Sequence, residues 1–151
     1  MADVARKTAL GNGHTIEVHN VVLLHDPVEA VTDFYVQPDF RVSSLRSLTE
    51  ARTSDESPAE LQMIQVPVVD AYRTIASVKA SYLMVDIEGG EIELLRHPLP
   101  DCVTTVCVDL HADATGIDAQ SEMLAALLAH GFDLDIGHSD LPALLFRRRS
   151  S

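Results

Sequence analysis

Tryptophan is absent, and aromatic residues make up only 5% of the 151 positions. A core without large rings must be assembled from Val, Leu, Ile and Ala, and the 46% apolar share is ordinary for a folded chain. Basic residues are scarce as well: 11 Lys and Arg stand against 23 Asp and Glu, giving a net charge of −12 and a pI of about 4.7. A phosphate-backbone binder needs a basic face, so nucleic acid is not expected as a partner. The only basic cluster, Arg147-Arg148-Arg149, reads as a solvated tail over 147–151. Cysteine occurs only at Cys102 and Cys107, a separation around one strand that suits neither a disulfide nor a metal-ligand pair. Cys107 lies in an apolar run and reads as a small buried hydrophobe. No apolar run approaches the roughly 20 residues needed to cross a bilayer. No apolar stretch follows Met1–Lys7 to make a secretory leader. A single domain, cytoplasmic and off the membrane, is the expectation.

Hydrophobic periodicity and turn residues divide the chain. Ala2 to Leu10 reads as the end of a helix stopped by Gly11-Asn12-Gly13. Thr15 to Leu24 and Ala30 to Val36 read as strands joined like a hairpin around Asp26-Pro27. Residues 38–60 carry Pro38, Ser43-Ser44 and Thr53–Pro58, a composition expected of a mobile loop. Leu61 to Val69 is a strand, and Asp70 is placed to cap a helix reaching Val78, with Ala71, Ile75 and Val78 on one side. Strand and helix then alternate: strand Tyr82–Ile87, helix Gly90–Arg96, strand Val103–Leu110. Helix Ile117–His130 follows, with Met123, Leu124, Leu127 and Leu128 inward, then strands Phe132–Ile136 and Leu141–Phe146. Such alternation implies an α/β fold with a mainly parallel sheet covered on both faces.

The segment Ser81-Tyr82-Leu83-Met84-Val85-Asp86-Ile87-Glu88-Gly89-Gly90-Glu91 reads as a buried strand ending on carboxylates, then a Gly pair, then a helix. Strand ends of this kind are where open α/β sheets bind ligands. Val85–Glu91 resembles the Asp-Val-Glu-Gly-x-Glu signature of the FkbM family of S-adenosylmethionine-dependent methyltransferases. Ile16–Leu23 resembles that family's third strand. Phe34-Tyr35-Val36 with Ser43-Ser44-Leu45 is similar to its Phe-Tyr-Val … Ser-Ser-Leu insert, and Val66–Asp70 to the strand before its short helix. The resemblance spans nearly the whole chain. It implies a Rossmann-like class I methyltransferase sheet of order 3-2-1-4-5-7-6 and methyl transfer from S-adenosylmethionine to an oxygen of a small molecule or sugar. The family's first strand, its Gly-rich cofactor loop and the acidic residue after its second strand have no counterpart here. The chain is therefore expected to be a partial domain over 1–151 that lacks the first two strands and the cofactor-binding residues. Without those strands, Thr15–Leu24 and Tyr82–Ile87 would stand about 14 Å apart, three spacings of roughly 4.8 Å. Open backbone at such a gap is unfavourable, so a second copy or a completing chain is expected as a partner.

Asp86 and Glu88 alternate to one side of their strand, and Asp109 and His111 do so on the next strand in that order. O-methylation needs a base, because a neutral hydroxyl attacks a sulfonium methyl poorly; a His beside a carboxylate can supply it. Asp86 and His111 are the catalytic candidates, with Glu88, Gly89, Ser44 and Asp109 at the acceptor. The competing structural role for Glu88 and Asp109 is capping or pairing with buried hydroxyls. Carboxylates plus one His suit Mg²⁺ or Mn²⁺ loosely, but no diagnostic spacing is present and no metal is assigned. Glu91 and Glu93 read as first-turn acids that suit the helix dipole. A reading of a different class makes the chain a non-catalytic remnant that binds or dimerises.

Overall fold

The fold is seen in a computed structural model that describes residues 2–36, 62–87 and 89–150. Elements follow in the order α1 (Ala2–Gly11), β1 (Val22–Leu24), β2 (Val31–Val36), β3 (Gln62–Asp70), α2 (Ala71–Ser77), β4 (Tyr82–Val85), α3 (Glu91–Leu95), β5 (Thr105–Asp109), α4 (Ala112–Thr115), α5 (Ile117–Ala129), β6 (Phe132–Leu134) and β7 (Ala143–Arg148), with a 3₁₀ turn at Ile136–His138. Among these residues no helix is long and apolar enough to cross a membrane. The loop expected over 38–60 lies outside the described residues.

Among the described residues a single, mostly parallel Rossmann-like sheet does not form: the strands make two small mixed sheets, one ordered β1-β3-β2 and the other β4-β5-β7-β6. β3 pairs with β1 in parallel and with β2 antiparallel, so β1 and β2 are separated by β3 instead of forming a hairpin. Pro67 limits β1. The Val68 amide donates to Ala30 O on the β2 side (2.9 Å), and successive amides on a strand point to opposite sides. The missing N–H of Pro67 therefore faces β1, whose ladder begins one residue later, at Val22 opposite Val68. The strand expected from Thr15 shrinks to three residues. In the second sheet β4 and β5 are parallel because α3 lies in a crossover between them. β7 runs antiparallel to both β5 and β6, since the eight residues 135–142 are too few for a parallel return.

The core gathers Val85, Leu94, Leu95, Val103, Val106, Val108, Met123, Leu127, Phe132 and Phe146, with Ala71 and Ile75 of α2 packed into it. β4, expected to be a buried central strand, is the edge of its sheet, and Tyr82 (53%) and Met84 (76%) stand exposed while Val85 is buried. Apolar sequence alone cannot tell a two-sided strand from one covered on a single face. Asp70 caps α2 as expected, its Oδ1 accepting from the Arg73 amide at 2.8 Å. Val78 instead faces solvent, beyond the helix C-terminus.

The expected basic tail is structural. Arg147 and Arg148 belong to β7, and Arg148 inserts its guanidinium among the carbonyls of Val103 (2.6 Å), Pro100 (3.0 Å) and Leu99 (3.2 Å), over the Phe132 ring. Arg147 pairs with Asp135 and Arg149 with Asp133.

Tyr72 ties α2 to α3: its hydroxyl lies 2.8 Å from Leu94 O and 3.0 Å from His97 O, and the His25 ring packs against both Tyr72 and His97. Burial, aided by the charge of Glu93, pushes the Tyr72 hydroxyl up to about 12. The native state then keeps a proton that an unfolded Tyr loses near 10, so this contribution to stability falls as pH rises from 10 to about 12. Unfolding midpoints across that range should drop less in Tyr72→Phe than in the unaltered protein; parallel curves would show that Tyr72 ionises as freely in the fold as out of it.

Candidate functional site

The register Val85 opposite Val108 brings the ends of β4 and β5 level, and the residues just beyond them, Asp86 and Asp109–His111, converge. His111 Nε2 lies 3.5 Å from Asp86 Oδ1. One nitrogen of His111 and one oxygen each of Asp86 and Asp109 lie within 4.8 Å of one another. Asp86 is half exposed, whereas the His111 side chain is only 16% exposed. The Asp109 Oδ1 atom is buried and has no hydrogen-bond partner among the described residues.

The other face of the imidazole meets Glu91, which the sequence places in a helix's first turn and at the end of the resembling signature, but not among the site candidates. Glu91 opens α3 with its side chain fully buried. Its Oε1 lies 3.3 Å from His111 Nδ1 and accepts from Gln120 Nε2 at 3.0 Å, and its Oε2 accepts from the Gly89 amide at 2.7 Å. Gln120, buried in α5, also donates to Thr115 Oγ1 at 2.8 Å. The signal for both residues lay in helical spacing. Glu91 shares a buried stripe with Leu94 and Leu95, and Gln120 shares one with Met123 and Leu127. A polar group on an apolar stripe has to be satisfied inside.

Gly89 adopts φ +98°, open to glycine and strained for other residues. A Cβ there would sit 3.0 Å from Thr115 Cγ2. Among the named candidates, then, Asp86, Asp109 and His111 come together and Gly89 forms the turn behind them. Glu88 and Ser44 lie outside the described residues. Among the described residues no Lys or Arg forms an ion pair with Asp86, Asp109 or Glu91.

The S-adenosylmethionine implied by the resemblance needs an open strand–Gly–helix cradle. The turn from β4 to α3 is the described one with that form, and it is closed. Its Gly89 amide is taken by Glu91, and the space beside Gly89 is filled by Thr115. Gly11 and Gly13 follow a helix, not a strand. The described residues do not fit the cofactor. A shallow groove lined by Ala5, Thr8, Ala9, Asn12, His14 and Ile16 shares no residue with the acidic cluster.

No known family, no curated protein and no solved structure matches this chain.

Proposed function

We propose that the strand end carrying Asp86, Asp109 and His111 is an acid–base site that takes the proton from a hydroxyl of a small molecule or sugar, in methyl transfer to that oxygen. The observation that carries the reading is the buried Glu91 carboxyl 3.3 Å from His111 Nδ1. With the Nδ1 proton held toward Glu91, the lone pair of Nε2 faces the half-exposed side, where Asp86 stands. A hydroxyl placed there gives its proton to Nε2, and the resulting imidazolium rests between Glu91 and Asp86. The hydroxyl oxygen is left as the nucleophile.

The methyl donor, S-adenosylmethionine, comes from the resemblance to the FkbM family and not from the described residues.

Titration of the purified chain with S-adenosylhomocysteine tests the donor: micromolar binding supports it, and none up to millimolar ligand removes methyl transfer by this chain alone. With a methyl acceptor in hand, His111→Ala should lower kcat by about 10² at neutral pH, with KM little changed. A variant that keeps full kcat and its pH profile sinks the base assignment.

The binding-module reading rests on a different observation, the open outer edge of β4 with Tyr82 and Met84 exposed. A solution mass at twice 16.5 kDa, without cofactor binding, would favour it.

A further inference from the structure

We infer that Asp86, Asp109 and His111 form a binding site for one divalent first-row transition-metal ion, of the Mn²⁺ or Zn²⁺ kind. Two carboxylates and one imidazole make a mixed hard and borderline donor set, more suited to these ions than to Ca²⁺. The separation of His111 Nε2 and Asp86 Oδ1, 3.5 Å, matches the span of two ligands on one ion. Donors about 2.1 Å from a common ion at a tetrahedral angle stand about 3.4 Å apart. The third donor, from Asp109, completes a group whose atoms lie within 4.8 Å of each other. The exposed carboxylate of Asp86 has room to close the difference.

Three further features point to a cation. Asp109 Oδ1 is buried and lacks a hydrogen-bond partner among the described residues, an arrangement that is costly unless something positive satisfies it. The carboxyl groups of Asp86, Asp109 and Glu91 surround one imidazole without an Arg or Lys ion pair among the described residues. Glu91, fully buried, holds Nδ1 while Nε2 faces Asp86, the carboxylate–histidine–metal arrangement of a supporting second layer.

Nε2 accommodates a proton or the ion, not both. In the ion-bound form, coordination would acidify a bound hydroxyl in place of His111. The site itself does not depend on the methyl-transfer reading.

The test is binding of Mn²⁺ alone to the purified chain, without cofactor or acceptor, followed by calorimetry and by loss of the free-ion electron paramagnetic resonance signal. Mg²⁺, Ca²⁺ and Zn²⁺ are run alongside. One Mn²⁺ per chain is expected. Asp86→Asn, whose side chain is exposed and can be changed without disturbing the core, should weaken binding at least tenfold, as should Asp109→Asn. Glu91→Gln should weaken it about 10- to 100-fold, the range for a lost supporting partner. Asp118→Asn, on the exposed first turn of α5, should leave it unchanged. Binding that Asp86→Asn and Asp109→Asn leave intact, or no saturable binding up to millimolar ion, overturns the site. Failure of S-adenosylhomocysteine to bind, with Mn²⁺ still bound, would count against methyl transfer only.

Discussion

Replacing Glu91 with Ala is expected to destabilise the fold by about 4 kcal/mol, the scale on which breaking a buried, hydrogen-bonded pair is felt. The carboxyl is fully buried and joins three partners: the Gly89 amide at 2.7 Å, Gln120 Nε2 at 3.0 Å and His111 Nδ1 at 3.3 Å. Its loss strands donors in the interior, each at about 1–3 kcal/mol, and leaves a space among Leu94, Leu95 and α5. Glu91→Gln retains one acceptor oxygen and should cost clearly less, about 1–2 kcal/mol. Urea unfolding of the two variants reads the difference directly. A Glu91→Ala protein within about 0.5 kcal/mol of the parent would behave like a surface substitution and show that the cluster carries no stability.

The second large effect is at Arg148. Arg148→Ala should cost about 3 kcal/mol, while Arg147→Ala costs less than about 1 kcal/mol, although the two are neighbours in one basic run. The Arg148 guanidinium satisfies the carbonyls of Leu99, Pro100 and Val103 and lies 4.5 Å from the centre of the Phe132 ring. Hydrogen bonds from a charged group to buried carbonyls contribute about 1.5–3 kcal/mol, and the ring contact adds about 0.5–2 kcal/mol. Arg147 meets Asp135 on a half-exposed surface. There the guanidinium first, and His138 second, hold the Asp135 carboxyl down at about 2. Equal losses at the two arginines, measured by urea midpoint, would refute the packing role assigned to Arg148.

Local chemistry made much of this legible. The Gly-Asn-Gly stop of α1, the Asp70 cap of α2 and the inward Met123 and Leu127 of α5 are interactions within a few residues and appear as expected, whereas Leu128, expected inward, stands exposed. The convergence of Asp86, Asp109 and His111 was also legible, because alternation fixes which residues share a side and adjacent strands bring those sides together. What failed was long-range. The extent of β1 is set by a proline in β3, more than forty positions away in sequence. Whether Tyr82–Val85 is buried on both faces depends on what lies beyond β4, and nothing in its apolar run records that. The three arginines look like a tail by composition, yet the partners of Arg148 sit near residues 99–103. The burial of Glu91 is not legible from its position, since a first-turn acid also suits a solvated helix end.

The bond from the Gly89 amide to Glu91 Oε2 spans the turn between β4 and α3. It acts as a latch on a folded hinge: the helix reaches back with its first side chain and fastens the turn that introduces it. Opening the hinge would empty a buried carboxyl oxygen, so this short link resists that movement alongside the packing of Leu94 and Leu95 in the core. Asp86 rides on the strand side of that hinge and His111 is held from the helix side through the same carboxyl. The distance between them therefore depends on the latch as well as on the register of β4 against β5.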